Sequence, residues 1–144
     1  MNMENVDLRE LFRARAEAAS AVVTSAASEL EVERLIAEDR AKGSVGVARA
    51  ARGIATTGTC VVETDDEETR LETMLPETSV IVLRASDIVA DLPDVAPYLR
   101  RRQDDGKVSY TSFITGPSRT ADIERVGAIG VHGPLALHII LLEG

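Results

Sequence analysis

Three short stretches of this 144-residue chain gather the residue types that hold anions or move protons. The first is Phe113-Ile-Thr-Gly-Pro-Ser-Arg-Thr-Ala-Asp-Ile-Glu124. Gly116 permits close backbone approach, the Ser118 and Thr120 hydroxyls donate hydrogen bonds, and the Arg119 guanidinium forks onto carboxylate or phosphate. Asp122 and Glu124 stand near enough to pair Arg119 internally, so an anion site and a salt-bridge lock both fit. The spacing matches neither a P-loop nor GxGxxG, and no nucleotide site follows from it. The second stretch, Gly130-Val-His-Gly-Pro134, sets His132 in a tightly specified backbone. An imidazole there is a proton carrier near neutrality, or a ring tied to a backbone carbonyl that fixes the turn. The third, Arg52 to Thr59, brackets hydroxyls between Gly53 and Gly58. Its Thr57, Gly58 and Thr59 line a pocket or satisfy a turn. His132 and Asp122 are the candidates for catalysis. Gly116, Ser118, Arg119, Thr120, Thr57, Gly58 and Thr59 are the candidates for holding a small anionic ligand.

Elsewhere the reactive residue types read as scaffold. Cys60 is the only cysteine and lies in the apolar run TCVVE, as a small buried hydrophobe does. His138, inside LALHIILL, is expected to pack within a strand, and two histidines six residues apart make a poor zinc pattern. No metal and no bound cofactor are expected. A single thiol also rules out a self-contained iron–sulfur cluster.

Alternating strands and helices must position these loops. Asp7 and Ser28, each with Glu three residues on, mark two helix starts. Apolar spacing carries the first helix from Asp7 to about Ser25, and the second closes before Gly43. SVGVA, TGTCVVET, TSVIVLRA, KVSYTSFITG and LALHIILLE read as strands. TSVIVLRA is apolar on both faces and hence central. DDEETRLETMLP suits a short helix or turn, DDG a turn, and SDIVADLPDVAPYLRRRQ a segment capped at Ser86 that is helical beyond Pro93. Strands alternating with helices predict an α/β layer fold. Residues 1–43 are expected to form an N-terminal helical segment that serves as a dimerisation arm, and residues 44–144 the α/β domain. The strand ending at Thr115 delivers Gly116 and Pro117 into a turn at the end of the sheet where open α/β folds bind ligands.

Bulk composition narrows the function. Sixteen basic against twenty-four acidic residues give a net charge of −8, which argues against nucleic-acid binding. The run Arg100-Arg101-Arg102 is expected to be a solvated helix end. Aromatics are 3% of the chain, so Ala, Val, Ile and Leu must build the core. No apolar stretch is long enough to span a membrane, and the charged start lacks a leader's apolar region, so a cytoplasmic protein is expected.

Gly53-Ile-Ala-Thr-Thr-Gly-Thr59, Leu75-Pro76 before SVIVLRASDIV, Phe113 to Glu124, Gly130 to Pro134 and the closing LHIILLE together resemble the LutC/YkgG family of LUD-domain proteins. The resemblance covers roughly Val45 to the end. It implies a NagB/RpiA/CoA-transferase-like fold, a central sheet flanked by helices. It also implies an accessory role in bacterial oxidation of L-lactate to pyruvate beside iron–sulfur partner subunits. The family pattern GIAETGT carries a carboxylate where this chain has Thr56. Family members also carry a further βα portion before the VGV strand, and almost nothing is expected to separate the first helices from that strand here. An incomplete sheet exposes an edge, which predicts a homodimer with the N-terminal helices in the interface. The same fold also hosts acyl- and CoA-transferases, and a degenerate structural remnant of the family is a third reading. A transferase of that kind needs a nucleophilic carboxylate in a glycine-framed loop, which Thr56 cannot supply and Glu63, along a strand, does not, so the accessory reading is favoured.

Overall fold

A computed structural model describes residues 7–64, 77–104, 110–117, 120–122 and 136–143. In chain order the elements are α1 (Leu8–Ala18), β1 (Val22–Ala26), α2 (Glu29–Arg40), β2 (Val45–Ile54), β3 (Thr59–Thr64), β4 (Thr78–Arg84), β5 (Ile88–Val89), α3 (Ala96–Asp104), β6 (Tyr110–Ile114), β7 (Thr120–Asp122) and β8 (Ala136–Leu142). The strands form one mixed sheet in the order β1-β8-β4-β2-β3-β6-β7, with β5 pairing β2 at the side. β1, β8, β4 and β2 are parallel, whereas β3, β6 and β7 join antiparallel to their neighbours. The α/β class and the central place of β4 are as the sequence predicts.

The first helix is shorter than predicted. Asp7 caps it, its side chain accepting from the Arg9 N–H, but it stops at Ala18. Ser20 then takes φ 79°, and Val22–Ala26 pairs with β8 as the edge strand. A left-handed residue ends a helix, and the β-branched pair Val22-Val23 that follows suits a strand. β1 is thus a strand the sequence did not predict, and with the predicted α2 it stands between α1 and β2, so residues 1–43 are not a purely helical segment separate from the α/β domain but contribute a strand to its sheet. α2 is capped as predicted, with the Ser28 hydroxyl accepting from the Glu31 N–H at 3.3 Å. Ser86 caps nothing. It sits in a single 3-10 turn, and a second such turn, Leu92–Val95, leads into α3 with Asp91 as its cap. The segments DDEETRLETMLP and DDG lie outside the described residues.

Alternation along each strand fills both faces. Ile81, Leu83, Ile139 and Leu141 pack with Cys60 and Val62 beneath Phe12 and Ala16 of α1. Val80, Val82, Ile140 and Leu142 point the other way, against Val32 and Leu35 of α2. Further along that second face, Ile54 and Val61 meet Val95, Tyr98 and Leu99. Both layers are aliphatic, with Phe12 the one fully buried aromatic among the described residues. Burial of such side chains contributes roughly 1.5–3 kcal/mol each. Arg100 and Arg101 are exposed, as a solvated helix end requires. No helix among the described residues is long and apolar enough to cross a membrane.

Candidate functional site

β2 and β6 both run antiparallel to β3, so their C-terminal ends share one edge of the sheet. There the turn Ala55–Gly58, between β2 and β3, stands beside Thr115, Gly116 and Pro117 at the end of β6. Thr57, Gly58, Thr59 and Gly116, four of the residues singled out from the sequence, are brought together in this way. Ser118, Arg119 and His132 lie outside the described residues. Thr120 and Asp122 belong to β7, in register with Ile114 and Ser112 of β6. The GPSRT stretch therefore joins two antiparallel strands rather than a strand and a helix.

Hydroxyls define this edge. Thr59 Oγ1 is 2.7 Å from Thr57 Oγ1 and 2.6 Å from Thr115 Oγ1. Thr59 is buried and Thr57 exposed, so the row runs from the core to the surface. Three hydroxyls carry three protons, and two are used within the row. One O–H is therefore left over, on Thr57, Thr59 or Thr115 according to which hydroxyls donate within the row, and chained hydroxyls polarise one another. The arrangement leaves one neutral donor for an acceptor outside the row. Thr115 escaped the sequence reading because its partner Thr59 stands 56 residues away, although its position immediately before Gly116 was a usable signal.

Both glycines of the edge serve α1. Gly58 has φ +67° and a Cβ there would fall 2.3 Å from the Ala16 nitrogen; Gly116 has φ +74° and its Cβ would fall 2.3 Å from the Ala19 carbonyl oxygen. Only glycine fits a left-handed backbone pressed against a helix main chain. Thr56 also has a structural partner. Its Oγ1 donates to Asp91 Oδ1 at 3.0 Å, tying the turn to the cap of the Leu92–Val95 turn. A carboxylate at position 56 would face that of Asp91.

Other reactive groups are occupied or inert. Cys60 is fully buried, and desolvation pushes its thiol up to about 12. It is a hydrophobe, not a nucleophile. Glu63 takes a hydrogen bond from the Thr111 hydroxyl. His138 packs in β8 as expected, with partners the sequence could not name: Nδ1 lies 2.5 Å from Asp39 Oδ2 and Nε2 lies 2.8 Å from Thr24 Oγ1. The ring thereby links α2, β8 and β1. No cluster of three metal-ligating side chains occurs among the described residues.

Fold and site define a mixed α/β domain with a glycine-framed, hydroxyl-lined strand edge closed by its first helix. Residues 8–142 match the model of the LUD domain, and the chain belongs to that family. It is 34% identical over 105 residues to "Lactate utilization protein C" of Geobacillus thermodenitrificans, covering 71% of this chain and 44% of the relative. It is 35% identical over 104 residues to "Uncharacterized protein YkgG" of Escherichia coli, covering 71% and 45%. The chain thus spans less than half the length of these curated relatives. A crystal structure of a DUF162 family protein from Deinococcus radiodurans is similar in fold, with TM-score 0.66 at 17% identity, over 94% of this chain and 96% of that one.

Proposed function

We propose that this chain is an accessory component of a bacterial L-lactate-utilisation system, acting in the cytoplasm. In this reading the Thr57–Thr59–Thr115 edge, together with the GPSRT and GVHGP stretches, binds a small anion or the acidic surface of a partner. Its main support is that Thr57, Gly58, Thr59 and Gly116 converge on one sheet edge, the end at which open α/β folds place ligands. The name of the Geobacillus relative supports an association with lactate utilisation. Oxidising lactate to pyruvate removes two electrons and two protons. A chain with one cysteine holds no iron–sulfur cluster of its own, and in this reading the electrons pass to partner subunits that carry such clusters. Arg119 takes the anion and His132 is the proton carrier, with Asp122 beside the loop. The component is a homodimer with residues 1–43 in the interface, although α1 and β1 are built into the core and the sheet rather than standing out as an arm. Leu30 on α2 and Val22 on β1, 76% and 60% exposed, are the apolar residues such an interface would cover.

A thermal-shift screen against L-lactate, pyruvate, phosphate and CoA tests the ligand role. A ligand at 100 times its Kd adds about 2.7 kcal/mol to native stability. A shift that Arg119→Ala removes supports the site. No shift with any of the four compounds refutes small-anion binding and leaves partner capture from lactate-grown extract as the deciding assay. A single monomeric mass by light scattering across micromolar concentrations refutes the dimer.

A further inference from the structure

A recess also lies away from the threonine edge. It is a groove of about 610 Å³ at the other end of α1, lined by Glu10, Arg13 and Glu17, by Ser25 near the end of β1, and by Leu141 and Glu143 at the end of β8. Its volume suits a small ligand. It lies over the C-terminal ends of two parallel strands, the location at which open α/β sheets bind ligands. It shares no residue with the site above.

Charge within the groove is unevenly satisfied. Arg9 is engaged, with Nη1 3.2 Å from Glu143 Oε1 and Nε 3.6 Å from Asp7 Oδ1. Arg13 is not paired. Its Nη1 donates to the Val23 carbonyl at 3.2 Å and its Nη2 to Ser25 Oγ at 2.6 Å, both neutral acceptors, and it makes no ion pair among the described residues. Five guanidinium N–H groups less these two leave three, held in a fixed fork. Ser25 accepts from Arg13, so its own hydrogen is free to donate. Glu10 and Glu17, one turn before and one turn after Arg13 on α1, have no cationic partner among the described residues. The groove thus presents an unneutralised, oriented guanidinium between two unpaired carboxylates.

We infer that this groove is a binding site for a small zwitterion, a carboxylate and an ammonium on adjacent atoms as in a 2-amino acid. The carboxylate takes the Arg13 fork and the Ser25 hydroxyl, and the ammonium lies against Glu10 or Glu17, which stand about 10 Å apart along α1 on either side of Arg13. Flanking carboxylates disfavour a bare anion and disfavour phosphate more strongly still. Arg13 alone disfavours a bare amine. No bond is made or broken. The site would let a small amino acid report on the state of α1, which also closes the threonine edge.

The test is calorimetric titration and thermal shift of the full chain with L-alanine, propionate, methylamine and phosphate. L-Alanine is expected to bind and to raise the melting temperature, with propionate and methylamine each at least about tenfold weaker and phosphate silent. Arg13→Lys keeps the charge but loses the fork, and should weaken alanine by about tenfold. In the double variant Glu10→Gln, Glu17→Gln, on the solvent side of α1, propionate should bind as tightly as alanine. Equal binding of propionate and alanine by the unaltered chain overturns the inference. So does alanine binding that survives Arg13→Lys undiminished, or no heat and no shift with alanine at all. Because Arg13 also ties α1 to β1, a fall in melting temperature without ligand reports that tie. Only the ligand-dependent difference bears on the site.

Discussion

Replacing Gly58 with alanine tests the claim that α1 is seated by glycine. Two costs add. A non-glycine residue at φ +67° bears roughly 1–2 kcal/mol of left-handed strain. The new Cβ would lie 2.3 Å from the Ala16 nitrogen and 2.7 Å from both the Ala16 Cα and the Arg15 carbonyl carbon. These are backbone atoms, so relief requires the helix to move, and overpacking of this kind costs about 1–3 kcal/mol. The sum, about 2–5 kcal/mol, is a large part of the 5–15 kcal/mol that holds a typical domain together. For a chain of this size it corresponds to a fall in melting temperature of roughly 5–20 °C. Gly43→Ala is the control. Its Cβ meets only Glu77 Oε2, at 2.5 Å, the tip of an exposed side chain that can turn away, so the expected cost is within about 0.5 kcal/mol. Urea unfolding of both variants beside the unaltered chain measures the difference. A Gly58→Ala variant within about 0.5 kcal/mol of the unaltered chain would refute the seating argument.

Three further outcomes follow from single contacts. Thr24→Val removes the hydroxyl 2.8 Å from His138 Nε2 and leaves a largely buried ring nitrogen unpaired, costing about 1–3 kcal/mol by urea unfolding; Thr24→Ser should recover most of it. Cys60, pushed up to about 12 by burial, should resist iodoacetamide at pH 8 in the native chain and react on unfolding. Its unfolded thiol ionises near 9, so between about pH 9 and 12 the unfolded chain binds fewer protons than the native one. Stability should therefore fall as pH rises through that window, by up to about 1.4 kcal/mol per unit, and Cys60→Ala should flatten the slope. Glu29, hydrogen-bonded by Arg49 at 2.6 Å, titrates below the usual carboxylate range because of that guanidinium. Arg49→Gln should return its NMR titration toward the ordinary value.

What the sequence disclosed depended on whether a residue's partner was near in the chain or only near in space. TSVIVLR was legible as a central strand because both of its faces are buried, and an unbroken apolar run says so. Ser28 with Glu31 was legible because a cap closes over three residues. β1 was not legible. Val22 and Val23 continue the apolar spacing of α1, and the break is made by Ser20 at φ 79°, a conformation that no residue type announces except glycine. The threonine row was half legible: Thr57 and Thr59 stood out as neighbours, whereas Thr115 joins them only through strand pairing. Asp39, Thr24 and His138 come together across 99 and 114 residues, beyond the reach of any spacing rule. Thr56 looked like a lost carboxylate, and its hydrogen bond to Asp91 gives the threonine a purpose of its own.

α1 connects the two sites. Its C-terminal end is gripped by Gly58 and Gly116 at the threonine edge, and Glu10, Arg13 and Glu17 form a wall of the groove. A rigid helix of 11 residues cannot tilt at one end without moving the other. Gly116→Ala, whose Cβ would press on the Ala19 carbonyl from 2.3 Å, should therefore weaken alanine binding in the groove although residue 116 lines no part of it. By reciprocity of coupling, alanine should change the affinity of the threonine edge for its own ligand by the same factor. The measurement is alanine titration of Gly116→Ala beside a Thr57→Val variant, which alters the edge without touching the helix. Loss in the first and retention in the second identifies the helix as the coupling element. Equal affinity in both shows that α1 absorbs the change locally and that the two sites act independently.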